Sequence, residues 1–191
     1  LERFAVYGRF YDKSIAGVDE QLRDRLEIAP PDWAVPDIVR REPDLLVVMM
    51  NPGASKPLDS LWNGADDHGF VPTQPDRTQY QIMQLLLAAQ AQGLSWQHAR
   101  VLNLSDLRTP KSQVFLEKLG RYAEDDSHSL FSTSRSAECA ALFACTATPV
   151  LCAWGMSPHF APLATRALAA CSGHPRLGLS IDGLAYRHPL P

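Results

Sequence analysis

No stretch of this 191-residue chain approaches the roughly 20 consecutive apolar residues that a bilayer-spanning helix needs. The opening Leu1-Glu2-Arg3-Phe4 carries no charged-then-apolar leader pattern. The four cysteines, Cys139, Cys145, Cys152 and Cys171, form no C-x-x-C pair and sit among Ala, Leu and Phe. That is how small buried hydrophobes in a reducing compartment read, and it gives zinc or an iron–sulfur cluster no ligand spacing. The expectation is a cytoplasmic monomer that touches no membrane and needs no metal or cofactor. Also missing are a Walker loop, G-x-G-x-x-G, G-x-S-x-G and H-E-x-x-H. Their absence removes the commonest NTPase, dinucleotide, α/β-hydrolase and zinc-protease readings. Basic residues are too few for a nucleic-acid coat: 18 Lys and Arg face 21 Asp and Glu, a net charge of −3. A local basic site is still open.

What is present describes one globular domain, 46% hydrophobic and 20% charged. A chain this long buries roughly 70% of its unfolded surface without needing a metal or a disulfide. Fifteen prolines spread along it argue for stiff loops rather than a helix bundle. Residues 1–43 read as an N-terminal extension packed on a core of residues 44–191. The extension has an aromatic start (Phe4, Tyr7, Phe10, Tyr11) and a short charged amphipathic stretch from Asp19 to Leu26, ended by Pro30-Pro31.

The core alternates strands and helices. Leu45 to Met50 is apolar on both faces and stops at Asn51-Pro52-Gly53, so it reads as a buried parallel strand. Residues 54–77 have little periodicity and much Gly, Pro and Asp, and read as a long loop that is functional or closes over a ligand. Apolar spacing predicts a helix over Thr78–Gln92, with Asp76 or Thr78 as N-cap and Gly93 just past its end. Arg100–Leu104 and Pro149–Gly155 are further strands, and Arg176–Leu179 a last one. Val114–Tyr122, Ser136–Cys145 and Pro158–Cys171 are helical candidates. The expected architecture is a three-layer α/β sandwich around a short, mainly parallel sheet.

In such sheets ligands collect beyond the carboxyl ends of the strands. Three strand ends carry polar or special residues: Asn51, Asn103, and Trp154-Gly155. Asn51 fits a turn residue as well as a functional one. Asn103 interrupts an apolar strand, so its amide needs a loop or a ligand as partner. Trp154-Gly155 alone reads as packing. His188 lies in a short polar tail, and Asp66-Asp67-His68 has metal-like composition without a partner set.

Taken in order, Met49-Met50-Asn51-Pro52-Gly53, Val101-Leu102-Asn103-Leu104, Leu151-Cys152-Ala153-Trp154-Gly155 and His188-Pro189-Leu190-Pro191 resemble the motifs of the uracil-DNA glycosylase superfamily. The likeness is closer to an uncharacterised bacterial and phage family of the N-P-S-T-A, N-L-F-x-x-R-x-T, A-W-G and H-P-L type. Asn51 to Ser55, Asn103 to Pro110 (with Arg108) and Asp182 to Leu190 carry it. It spans about residues 45–191. Two departures stand out. Met49 replaces the first-motif glycine, and Leu190 replaces the serine that such glycosylases place against DNA phosphate.

The resemblance implies a nucleobase-binding protein that hydrolyses the N-glycosidic bond of a damaged or modified base in DNA. Its rivals are a non-catalytic nucleobase or nucleic-acid module and an enzyme acting on free nucleosides or nucleotides. Asn51 would orient the attacking water and His188 would donate to the departing base, as catalytic residues. Asn103 would read the base edge, while Phe70, or else Trp62, would stack on it. Pro52, Gly53, Arg108, Trp154 and Gly155 would support the pocket.

Overall fold

In the computed structural model, which describes residues 3–59 and 69–189, residues 5–29 already build part of the sheet. Strand β1 (Ala5–Ile15) turns at Ala16-Gly17 and pairs antiparallel with β2 (Val18–Ala29), with a bulge beside Phe10. From Leu22 to Ala29 every residue of β2 is buried, four of them charged. The extension expected to pack on the core is therefore an interior part of the same sheet. The charged stretch 19–26 is a strand whose polar side chains mostly bond to neighbouring elements: Glu20 accepts from Lys118 and Tyr122, and Asp24 accepts from Arg9. Glu27 accepts from Arg25 Nε at 2.6 Å and Arg100 Nε at 2.8 Å, and its other oxygen lies 2.6 Å from His98 Nε2. Burial pushes the Glu27 pKa up, but the His98 bond, Arg100 and Arg25 outweigh it and hold it below the usual value.

After a short helix α1 (Val35–Arg40), the apolar run forms β3 (Leu45–Met49). The 54–77 segment is not wholly loop. It supplies β4 (Lys56–Pro57) and β5 (Phe70–Gln74), and β5 joins the sheet edge at β1. Residues 60–68 lie outside the described residues, and with them Trp62, Asp66, Asp67 and His68. Helix α2 (Arg77–Ala91) starts where the spacing placed it. Asp76 caps it by accepting from the amides of Thr78 at 2.9 Å and Gln79 at 3.1 Å, and Gln79 returns a bond to the Asp76 amide. There follow β6 (Ala99–Asn103), α3 (Ser112–Arg121), α4 (Ser136–Leu142), β7 (Val150–Ala153), α5 (Ala161–Ala170) and β8 (Arg176–Leu177).

The strand order is β4-β5-β1-β2-β6-β3-β7-β8. Only β6-β3-β7-β8 run parallel; the four other pairings are antiparallel. The sheet is thus longer and more antiparallel than expected, because the hairpin and the β4–β5 edge add a wing to the parallel block.

Side chains alternate across β3 and divide the core in two. Leu45, Val47 and Met49 face Ile82, Met83 and Leu86 of α2. Leu46 and Val48 face a cluster with Phe115 of α3 and Leu163, Ala164 and Ala167 of α5. Helices therefore cover both faces in three layers, each large apolar side chain contributing about 1.5–3 kcal/mol by burial. No helix among the described residues is long and apolar enough to cross a membrane.

Candidate functional site

The carboxyl ends of β3 and β6 open into a cavity of about 570 Å³ on the α2 face of the sheet. That is within the range of small-molecule sites, about 300–1,000 Å³. Asn51, Asn103 and His188, from three distant parts of the chain, all line it. So do Pro52, Gly53, Asp76 at the start of α2, and Arg23 of β2.

Each is held there by local structure. The Asn51 amide nitrogen donates to the carbonyls of Leu107 at 3.1 Å and Thr109 at 2.9 Å. Both hydrogens are thereby committed to the loop after β6, which leaves the amide oxygen as this residue's remaining polar atom. Gly53 has φ +64, and a Cβ on it would come 3.2 Å from Asp76 Oδ2. Glycine takes this left-handed backbone without strain, and an added Cβ would press on the Asp76 carboxylate. Asp76 Oδ1 is engaged by α2, and Asp76 is the only carboxylate among the described residues of the lining.

Asn103 ends β6 with no exposure, and neither atom of its amide has a hydrogen-bond partner. The guanidinium of Arg23 is in a comparable state: the residue is 2% exposed, and Nε and Nη1 have no partner. Desolvation lowers the Arg23 pKa to about 10, opposed chiefly by the charge of Asp76. It remains a cation at neutral pH. Buried polar groups are nearly always bonded, so two unpartnered ones on one cavity wall single this cavity out as the candidate site.

The third strand end works at one remove. Trp154 is fully buried and donates from Nε1 to the Leu184 carbonyl at 3.0 Å, its ring edge-on to Tyr186. Gly155, at φ +98, donates its amide to the Tyr186 carbonyl at 2.7 Å. Together they pin residues 184–186 and so carry half-buried His188 to the cavity. Arg108 ties strand ends together, donating to the Ser55 carbonyl at 3.0 Å and to the Gln21 side chain at 3.3 Å.

Phe70 sits elsewhere. It is on β5, outside the cavity lining, with the Arg25 guanidinium 5.2 Å and that of Arg9 5.9 Å from its ring centre. Arg23 is the lining residue that sequence reasoning missed. Within Leu22-Arg23-Asp24-Arg25-Leu26 nothing separates it from a solvated strand charge. Asp76 was legible only as a helix cap.

Among the described residues no group of three His, Cys, Asp or Glu could hold a metal ion. No family model, no curated protein and no solved structure matches this chain.

Proposed function

We propose that this chain binds a nucleobase in the cavity and hydrolyses the N-glycosidic bond that joins it to deoxyribose in DNA, as a glycosylase of the uracil-DNA glycosylase type. One observation carries the reading: Asn51, Asn103 and His188 line a single cavity at the ends of parallel strands, and the Asn103 amide there is buried without a partner. An amide both donates and accepts, which suits the mixed edge of an extruded base.

In this mechanism the free oxygen of Asn51 orients water toward the sugar carbon. Asn51 is not a base, so Asp76, across Gly53, takes the proton. As water bonds to the carbon, the carbon–nitrogen bond breaks and its electron pair leaves with the base. His188 donates a hydrogen bond to the oxygen where that charge collects, and the base is then protonated through solvent as Asp76 gives up the proton it took. The products are an abasic sugar and a free base.

The purified protein is to be incubated with single- and double-stranded oligonucleotides carrying uracil, hypoxanthine, xanthine or a modified pyrimidine, and abasic sites scored. Cleavage of at least one base supports the proposal, and abasic product from none of them rejects the catalytic part. A second reading, action on free nucleosides, is favoured by the net charge of −3. DNA affinity that falls steeply with salt excludes it, because phosphate contacts release counterions.

A further inference from the structure

Arg23 is the least explained charge in the molecule. The other buried arginines nearby, Arg25 and Arg100, both donate to Glu27 and to backbone carbonyls. Arg23 lines the cavity with Nε and Nη1 unpartnered, and no carboxylate among the described residues makes an ion pair with it. Asp76, Asp106 and Asp24 act on it only from farther off. A buried guanidinium left without hydrogen bonds is strongly unfavourable, so this one is placed for something that enters the cavity.

The geometry points to a substrate class: we propose that Arg23 makes the cavity selective for 6-oxopurines, whose O6 and N7 meet the guanidinium together. The inference rests on the nucleobase reading above and narrows it. A guanidinium is a planar fork that pairs best with two coplanar acceptors. Asp76 and Arg77 share the lining with Arg23, so the wall carries charge of both signs, and the choice of a base over an anion rests on the nucleobase reading. Within that reading, an edge with two neighbouring acceptors matches the fork best. Guanine-type bases present such an edge at O6 and N7, the commonest specific partner of arginine. Adenine sets an amino donor beside N7, and uracil offers O4 with no second acceptor on that side. The Asn103 amide is then left for another edge of the same base.

The test uses short oligonucleotides, each with one hypoxanthine, 7-deazahypoxanthine, adenine or uracil, and measures dissociation constants by fluorescence anisotropy. The hypoxanthine probe should bind tightest. Replacing N7 by carbon should weaken it by roughly 5- to 150-fold, the range for one bidentate base contact. In Arg23→Lys, which keeps the charge and loses the fork, that difference should shrink toward unity. Equal binding of hypoxanthine and its 7-deaza analogue by the unaltered protein overturns the proposal, whether or not the variant folds. Preference for uracil overturns it too, while leaving the nucleobase reading intact. Indifference to all four bases overturns both.

Discussion

Asn103→Leu should make the protein more stable and, under the proposed function, abolish discrimination between bases. Asn103 has no exposure, and both its amide oxygen and its amide nitrogen lack partners. An unsatisfied buried polar group costs about 1–3 kcal/mol. Leucine has nearly the same branching, and the cavity beside Met49, Ile82 and Val101 has room for its slightly larger end. Set against a packing cost of up to about 1.5 kcal/mol, a net gain of about 1 kcal/mol is expected. At about 2–4 °C per kcal/mol for a domain of this size, Tm should rise by a few degrees. Urea and thermal denaturation of the unliganded protein measure it, with Asn103→Asp as a control that should lose stability by burying a charge. A site that holds a strained, ligand-ready group typically trades stability for function in this direction. Destabilisation by Asn103→Leu, with the fold intact, would show that the amide is satisfied in the free protein and would refute the argument.

Other perturbations probe the scaffold around the cavity. Gly53→Ala should cost about 1–2 kcal/mol from the left-handed backbone alone and disturb the Asp76 cap, read as a lower urea midpoint. Burial raises the Asp106 carboxyl to about 7, with Arg135 opposing and Asp24 adding to the shift. The folded chain then keeps a proton that the unfolded chain releases between about pH 4 and 7. The stability due to this group falls as pH rises through that window, by up to about 1.4 kcal/mol per pH unit. The stability of the unaltered protein relative to Asp106→Asn should therefore decline from pH 5 to pH 7 in urea titrations, and a flat difference would contradict this.

The parallel strands β3, β6 and β7 were legible because each is a short, largely apolar run ending at or near Asn or Gly, and α2 because its capping residues and spacing agree. Those features place Asn51 and Asn103 near one edge of the sheet before any coordinates, while His188 was brought there only by the resemblance. The hairpin was not legible. Its strand β2 buries Arg23, Asp24, Arg25 and Glu27, and this run of charges on both faces erases the alternation by which a strand is recognised. For the same reason Arg23 could not be separated from its neighbours, since what distinguishes it is the partner it lacks. The β4–β5 edge escaped notice because two residues of β4 and a proline inside β5 leave almost no pattern.

Single-turnover cleavage by the unaltered protein, His188→Ala and Asn103→Ala, with substrate affinity measured alongside, tests the shared site most directly. The base becomes negative only as it leaves, so His188→Ala should slow turnover by about 10²–10³-fold and leave affinity nearly unchanged. Asn103→Ala should instead weaken binding and blur the choice of base. Equal turnover by the unaltered protein and His188→Ala, on a substrate both cleave, would remove His188 from the mechanism and contradict the account.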